Sequence, residues 1–406
     1  MADSFTLRSV TSTDYDTFFD FVQSVFHESG EQSARDAESW VFEPDRAIAI
    51  FDGDRQVGAA GALTRDLTVP GGPIPVACVT AVAVAPTHTR RGILTRMMRH
   101  QLTELHESRR EPVSALWASE SGIYGRYGYG SASQYARIDA STRAVRLRHP
   151  VPPAERHVET GPASDPKLRS EIAAVYARAY PTLVGHLDRR DRWWDYRLQD
   201  DDKNSLRVAL HESGGRADGY AVYAVRRDWD NQGPKSEMTV HELIAESGAA
   251  RDALWSYLFG VDLIATLNHP CPADAPLQHL VDHPGRMAID LSPNLWVRIV
   301  DVDRALTARR YAAAVDVVLD VADPFCPWNE GRWRLVAGPA GARCERTDAD
   351  ADLALSSTEL GAAYLGGTTL AVLADAGLVR ELRPGALRAA SVAFAEPRQP
   401  YCPEVF

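Results

Sequence analysis

The chain has 406 residues, of which 45% are hydrophobic and 24% charged, and its 44 basic and 55 acidic side chains give a formal net charge of −11. This length exceeds what one hydrophobic core usually supports, so we expect two or three domains. The acidic balance argues against general nucleic-acid binding, no apolar run is long enough to span a bilayer, and the N-terminus lacks a signal-peptide pattern, so we expect a cytoplasmic protein without nucleic-acid or membrane partners.

The chain separates into three blocks by sequence pattern. Residues 1–150 alternate strand-like runs such as "AIAIFDG" and "VTAVAVA" with helix-like runs such as "GILTRMMRHQLTELHESRR", which predicts an α/β layer fold. Residues 144–167 are rich in Pro and Arg and mark a boundary, and the block 151–294 repeats the α/β pattern. From "LWVRIVDVDRAL" onward the pattern changes, so we predict a third domain over residues 295–406. The five cysteines form no C-x-x-C pair, and no metal site is expected.

The segment "VAVAPTHTRRGIL", residues 82–94, joins a predicted strand to a predicted helix through a polar loop. Unpaired N–H groups at the start of a helix, together with the positive end of its dipole, bind phosphate. Arg90 and Arg91 add positive charge, Gly92 allows close backbone approach, and Thr89 or Thr95 offers a hydroxyl. The pattern suits a pyrophosphate, although taken alone it also fits an ordinary polar turn.

A second motif, "ESGIYGRYGYG", follows the next predicted strand, "VSALWAS". In combination, V-x-V-x-P-x-x-x-x-R-G and Y-x-x-x-G-[FY] resemble the GCN5-related N-acetyltransferases (GNAT), which bind acetyl-coenzyme A between two separating parallel strands. The loop departs from the usual pattern at Thr89 and Leu94. The longer segments "TAVAVAPTHTRRGIL" and "ASESGIYGRYGYG", the overall length and the terminal Phe406 resemble the enhanced intracellular survival (Eis) family of actinobacterial acetyltransferases.

The Eis resemblance implies an α/β (α+β) architecture of tandem GNAT folds followed by a sterol-carrier-protein-like α/β domain. It assigns an N-terminal GNAT domain that binds acetyl-CoA to residues 1–150, a GNAT-like domain without a cofactor loop to 151–294, and the carrier-like domain with a functional C-terminus to 295–406. It further implies a homohexamer, acetyl-CoA as cosubstrate, no metal, and a small cationic amine of the aminoglycoside type as substrate.

The same resemblance assigns roles to individual residues. Tyr124 is the expected proton donor to the departing thiolate, and the terminal carboxylate of Phe406 is the expected base that takes the proton of the amine. Substrate binding is expected from Phe26, Glu28, Trp40 and Glu404. Cofactor binding is expected from Val82, Ala83, Val84, Arg90, Arg91, Gly92, Ile93, Leu94, Thr95, Ser119 and Glu120.

Alternatives remain open from the residues alone. Phe26 lies on the apolar face of "FFDFVQSVF" and fits a core position, Glu28 fits a solvated charge at a helix end, and the apolar tail "PYCPEVF" fits simple docking on its own domain. Two other functions fit the chain: acetylation of protein or peptide lysines or of polyamines, and nonenzymatic carriage of acyl-CoA or lipid by the C-terminal domain.

Overall fold

The computed structural model describes residues 5–190, 192–199, 205–231 and 233–406. The chain divides into two compact units. The first unit comprises the residues up to Ser133, Pro293–Pro400 and Glu404–Phe406, and the second comprises Gln134–Ser292 and Tyr401–Pro403. Among the described residues, no helix combines the length and the apolar character that crossing a bilayer requires.

The N-terminal part of the first unit supplies the elements that build its main sheet and cover it. They are β1 Thr6–Ser9, α1 Tyr15–Phe26, α2 Gln32–Val41, β2 Ile48–Asp52, β3 Arg55–Val69, β4 Gly72–Val84, α3 Ile93–Ser108, β5 Val113–Trp117, α4 Ser121–Tyr124 and β6 Tyr129–Ser131.

The second unit follows in the chain with another alternation of strands and helices. It contains β7 Gln134–Ser141, β8 Val158–Pro162, α5 Pro166–Ala179, α6 Trp193–Arg197, β9 Arg207–Ser213, β10 Arg216–Arg226, β11 Trp229–Asp230, β12 Gly233–Pro234, β13 Ser236–Ala245, α7 Gly248–Leu258, β14 Ile264–Pro272, α8 Leu277–Leu280 and β15 Met287–Pro293.

The chain then returns to the first unit. The elements are β16 Leu295–Ile299, α9 Val302–Ala308, β17 Val315–Ala322, β18 Gly331–Gly338, β19 Gly341–Arg346, β20 Leu353–Ser356, α10 Ser357–Ala363, α11 Leu370–Asp375, β21 Arg380–Glu381 and α12 Ala386–Phe394.

The main sheet of the first unit has the strand order β1-β2-β3-β4-β5-β16-β6. Its strands alternate their side chains between two faces. Ile48 and Ile50 of β2 share a core cluster with Ile93 and Met97 of α3, whereas Ala49 joins a cluster with residues of α1. Helices α3 and α1 therefore cover opposite faces of the sheet, which is the layered α/β arrangement that the pattern predicts.

Strand β16 is expected in the third domain, at the start of residues 295–406, but the structure places it in another sheet. It lies between β5 and β6, pairing antiparallel with both, and so completes the main sheet of the first unit. Residues 134–150, predicted within the first domain, belong instead to the second unit. A further sheet of the first unit, in the order β19-β18-β17-β20-β21, is formed by the C-terminal residues.

The second unit has its own main sheet, in the order β15-β7-β14-β13-β10-β9-β8. Strands β13 and β14 pair in parallel, and β14 pairs antiparallel with β7. Tyr401 packs in this unit: its N–H donates to the carbonyl of Val184 at 3.0 Å, and its ring lies edge-on to His186. The apolar tail therefore begins as a packed segment, because both Tyr401 and Cys402 are buried.

Candidate active site

Strands β4 and β5 separate part of the way along their length. Their parallel ladder joins residues 76–78 to residues 113–115, whereas β4 continues beside β3 as far as Val84. Beyond residue 78, one edge of β4 thus has no ladder to β5, and its backbone groups are available to an extended ligand that carries amides. The predicted cofactor residues Val82, Ala83 and Val84 lie on this part of the strand.

A β-bulge increases the divergence of β4. The register with β3 shifts between Ala59 and Gly61, where the partners change from Ala83 to Thr80. Ala81 lies within this interval with φ of 52°, a backbone conformation that is uncommon for residues other than glycine. A bulge bends its strand and raises the local twist, so the chain itself turns β4 away from β5 at the open edge.

The start of α3 is exposed at the end of β4. Arg90, Arg91 and Gly92 are exposed, and the N-cap residue Gly92 has φ of 80° without a side-chain capping bond. A Cβ at Gly92 would meet no atom within 4 Å, so a ligand has room to approach the first amides of the helix. Such amides and the positive end of a helix dipole are groups that bind anions in proteins.

The two arginines of the loop differ in their surroundings. The Arg91 guanidinium lies 3.9 Å from the Asp52 carboxylate and 4.7 Å from the ring centre of Phe5. His88 is buried beneath the loop and contacts the same carboxylate at 3.2 Å. No carboxylate among the described residues lies within ion-pair distance of Arg90. Arg90 is thus the more available cation for a phosphate.

The remaining predicted cofactor residues flank the opening. Ile93 is buried, Leu94 is half-buried and Thr95 is exposed in the first turn of α3. The Thr95 hydroxyl lies 3.2 Å from that of Tyr127. Ser119 and Glu120 are exposed between β5 and α4, so both motifs contribute polar groups near the ends of the two separating strands.

Tyr124 ends helix α4 and is buried. It shares a core cluster with Val79 on β4 and Leu116 on β5, which places its ring where the two strands separate. Burial raises the pKa of Tyr124 to about 12, with smaller contributions from Tyr127 and Glu120. The phenol is therefore neutral near pH 7 and carries a proton that it can donate.

The three tyrosines of the second motif are distinguished by their hydrogen bonds. Tyr129 contacts the Ser114 hydroxyl at 2.9 Å, and Tyr127 contacts Thr95. The Tyr124 hydroxyl makes no hydrogen bond to any residue that the structure describes, and its ring packs edge-on to Tyr129 at 5.9 Å. Of the three, Tyr124 has the hydroxyl that remains available to a reacting atom.

The end of the chain is fixed in the first unit by a buried ion pair. The Arg65 guanidinium on β3 donates to the Glu404 carboxylate at 2.9 Å, and their side chains are 1% and 5% exposed. Val405 is 65% exposed, and Phe406 is half-buried. Glu404 was expected to face a cationic substrate, whereas its carboxylate is already held by Arg65. Sequence reasoning did not identify Arg65.

The other three expected substrate residues lie on α1, on α2 and on the connection between these helices. Phe26 is 43% exposed, Glu28 is exposed and Trp40 is half-buried. Arg35 of α2 joins the helices by an ion pair to Asp16 at 3.0 Å. Helices α1 and α2 are thus joined, and together with their connection they form a wall that carries the aromatic Phe26 and Trp40 and the acidic Glu28.

Glu38 is a candidate that sequence reasoning missed. Burial, followed by repulsion from Glu28, raises its pKa to about 7. It also contributes to the raised pKa of Tyr15, whose hydroxyl donates to the carbonyl of Arg35 at 2.6 Å. The fold thus brings Glu28 and Glu38 close enough to interact. A single Glu in "QSARDAESW" gives no sequence signal of this pairing.

A metal site would need several His, Cys, Asp or Glu side chains close together among the described residues. These residues contain no cluster of three or more His, Cys, Asp or Glu side chains with suitable geometry.

Three segments of the chain match known families. Residues 6–132 and 185–299 each match an acetyltransferase (GNAT) domain family, and residues 302–403 match a sterol carrier protein domain family.

Several relatives align with this chain over nearly its whole length. The chain is 43% identical to an uncharacterized N-acetyltransferase of Streptomyces avermitilis, over 98% of this chain and 99% of the relative. It is 34% identical to the N-acetyltransferase Eis of Mycobacterium tuberculosis, over 96% of both chains. The crystal structure of Eis1 from Mycobacterium abscessus superposes with a TM-score of 0.85 at 32% identity, covering 99% of this chain and 100% of that one.

Proposed function

We propose that this chain transfers acetyl groups directly from acetyl-CoA to a polycationic amine, since it belongs to the Eis-like family of GNAT N-acetyltransferases with tandem GNAT domains and a sterol carrier protein domain. Family membership confirms the predicted fold class and the activity of an N-acetyltransferase. GNAT acetyltransferases use acetyl-CoA, whereas the residues that bind it here and the identity of the amine are our proposals.

The cofactor proposal rests on the open edge of β4 and the uncapped start of α3. An extended chain bearing amides fits the edge beyond residue 78, where β4 has left β5. A pyrophosphate fits the first amides of α3, with Arg90 and Arg91 as charged donors and open space at Gly92. Bound acetyl-CoA supplies an activated acetyl thioester at this place.

Two groups of this chain move the protons of the reaction. An aliphatic ammonium with a pKa of about 10 must lose a proton before its nitrogen can bond to the acetyl carbon. We assign this proton to the terminal carboxylate of Phe406, acting through water. As the carbon–sulfur bond breaks, Tyr124 donates its proton to the sulfur, whose thiol has a pKa of about 8.5 in water. The nitrogen, now bonded to the acetyl carbon, loses its second proton to form the amide, and this proton restores the Tyr124 hydroxyl.

The raised pKa of Tyr124 is compatible with this role. Burial disfavours any anion in the same cluster, so it raises the pKa of a thiol formed beside Tyr124 as well as that of the phenol. The neutral Tyr124 hydroxyl, without a hydrogen bond to the described residues, is free to turn toward the sulfur. The main support for the proposed acetyl transfer is the available Tyr124 hydroxyl at the place where β4 and β5 separate.

The amine proposal rests on the acidic and aromatic wall of α1 and α2. Burial, followed by repulsion from Glu28, raises the pKa of Glu38, and a multiply charged amine would relieve the repulsion between the two carboxylates. Exposed Phe26 and half-buried Trp40 offer aromatic faces to a cation or a sugar ring. An aminoglycoside-like substrate combines these features, because it presents several ammonium groups on rigid rings.

Thiol release from acetyl-CoA tests the function directly. We expect rapid release with kanamycin and slower release with spermidine or a lysine-containing peptide, with mass spectrometry locating the acetyl group. Preference for the peptide would instead favour protein acetylation. Binding of acyl-CoA or a fatty acid without any amine-dependent thiol release would favour carriage over catalysis.

We also propose a homohexamer, as the family resemblance implies. Apolar side chains of the C-terminal residues are exposed and provide candidate contact surface: Val372 at 61%, Leu378 at 52%, Leu382 at 43% and Val392 at 54%. Mass photometry and sedimentation velocity at low micromolar concentration measure the assembly. A monomer under these conditions would refute this proposal without affecting the catalytic one.

A further inference from the structure

The turn that follows Tyr124 rests on helix α10, which belongs to the segment matching the sterol carrier protein family. The Thr358 hydroxyl of α10 donates to the carbonyl of Gly125 at 3.2 Å. Gly125 is the residue directly after Tyr124. A single hydrogen bond therefore connects this helix to the peptide next to the expected proton donor.

Beyond the turn, the backbone of β6 lies directly against the backbone of α10. A Cβ at Gly130 would overlap the carbonyl oxygen of Thr358 and the amide nitrogen of Ala362, and a Cβ at Gly361 would overlap the carbonyl oxygen of Val297. Close approach of this kind is possible only for glycine at both positions. No side chain therefore fits between β6 and α10, and this contact fixes the distance between them.

A buried charge pair supports the same turn from below. Gly128 has φ of 84°, and a Cβ there would lie 2.7 Å from the guanidinium carbon of Arg298. Arg298 pairs with Asp323 at 2.8 Å, with side-chain exposures of 0% and 1%. Asp323 also accepts from the Asn329 amide at 3.0 Å. The guanidinium beneath the turn is thus held by residues of the C-terminal segment.

Packing of the neighbouring ring strengthens this support. The Tyr127 ring lies edge-on to Phe325 with 5.0 Å between the ring centres. Tyr124 has no hydrogen bond to the described residues that would fix its hydroxyl. Its position therefore depends on ring packing, such as that against Tyr129, and on the backbone of α4 and of the turn after it. A misplacement of about 1 Å can reduce a rate about a hundredfold.

We infer that α10, through Thr358 and the Gly130–Gly361 contact, positions Tyr124 for proton donation. The sterol carrier protein segment then acts on the reaction as a support for the donor, and Thr358 is a positioning residue that does not touch the substrate. This inference rests on the proposed function, because it takes Tyr124 as the proton donor.

Substitution of Thr358 by valine tests the inference with little change in volume. We expect Thr358→Val to lower kcat about tenfold, while the KM for acetyl-CoA and its Kd by calorimetry stay within twofold of wild type. Thr358→Ser keeps the hydroxyl and should restore kcat. Loss of both kcat and acetyl-CoA affinity in the valine variant, or equal loss in the serine variant, would overturn the inference.

A double-mutant cycle separates positioning from general damage. If Thr358 acts through Tyr124, the Tyr124→Phe and Thr358→Val double variant should be no slower than Tyr124→Phe alone, because the donor is already absent. If the fall in kcat of the double variant equals the product of the two single falls, positioning through Thr358 is overturned, while the donor role of Tyr124 stays intact. A Tyr124→Phe variant with normal kcat would overturn both the donor assignment and the inference.

The glycine contact supplies a second, independent perturbation. Gly361→Ala inserts a methyl group between α10 and the carbonyl of Val297, and we expect a fall in kcat larger than that of Thr358→Val. Gly285→Ala is the matched control, since a Cβ there meets nothing within 4 Å. A folded Gly361→Ala variant with normal kcat would contradict the inference, and the Thr358 series decides the question if that variant does not fold.

Discussion

The Arg65–Glu404 ion pair predicts that activity depends on a contact two residues away from the terminal carboxylate. Glu404→Gln would leave the Arg65 charge buried with this carboxylate removed. Breaking a buried pair from one side costs about 3–5 kcal/mol, and each 1.4 kcal/mol is about a factor of ten in an equilibrium. The docked tail should therefore be destabilised about a hundredfold or more relative to a displaced tail.

If the Phe406 carboxylate is the base, this displacement should appear in turnover. A positioned base contributes about 10²–10⁴ in rate, so we expect kcat to fall about a hundredfold in Glu404→Gln, with the Kd for acetyl-CoA unchanged. Steady-state thiol release and calorimetry measure the two quantities. Arg55→Gln, at the exposed start of the same strand, is the control and should behave as wild type.

Removal of both charges sharpens the test. The double variant Arg65→Met and Glu404→Met contains neither member of the pair, and apolar replacement of a whole buried pair is often neutral. We expect it to recover much of the lost kcat. A folded Glu404→Gln protein with wild-type turnover would refute the argument that the pair holds the base in place.

Further predictions concern the cofactor, the donor, the base and the substrate. Arg90→Gln with Arg91→Gln should weaken acetyl-CoA binding at least tenfold in calorimetry, because a charged hydrogen bond contributes about 1.5–3 kcal/mol; equal affinity would exclude a phosphate role. Tyr124→Phe should lower kcat about a hundredfold with little change in the Kd for acetyl-CoA, whereas a change confined to affinity would contradict proton donation. Added residues after Phe406 should abolish most turnover while acetyl-CoA still binds, and normal turnover would remove this terminus from the site. The Glu38 carboxyl has its pKa raised to about 7 and ionises as pH rises through that value, so the KM for a cationic amine should fall between about pH 6 and pH 8. Glu38→Gln should flatten this pH profile of KM, and an unchanged profile would exclude a role of Glu38 in binding the amine.

The raised pKa of Glu38 also determines how the stability of the fold changes with pH. The folded state retains the proton of Glu38 to a higher pH than the unfolded state, since its pKa is raised from 4.5 to about 7. This group therefore stabilises the fold relatively more at low pH, and its contribution declines as pH rises through that interval. A cationic substrate should oppose the decline.

Local sequence patterns predicted the features that adjacent residues create. The loop at Arg90, Arg91 and Gly92 lies at the end of a strand and the start of a helix, as expected from "VAVAPTHTRRGIL". Such features depend on the residue order within one turn, so a short motif is enough to recognise them. The family resemblance supplied the tandem architecture that local patterns alone left open.

Contacts between distant parts of the chain could not be predicted in this way. Arg65 and Glu404 are 339 positions apart, and a buried Arg in a strand gives no local sign of its partner. The sequence "LWVRI" reads as a strand, yet nothing in it reveals that β16 lies between β5 and β6. The interaction of Glu28 with Glu38 likewise depends on how α1 and α2 pack.

The place of β16 has a consequence for synthesis of the protein. The main sheet of the first unit contains β16, which the ribosome synthesises only after all of Gln134–Ser292. This sheet therefore cannot be completed while only the N-terminal acetyltransferase segment has been translated. Until then, the edges of β5 and β6 are open to wrong pairing. We expect a polypeptide that stops at residue 150 to aggregate, and coexpression of residues 293–406 to rescue it poorly.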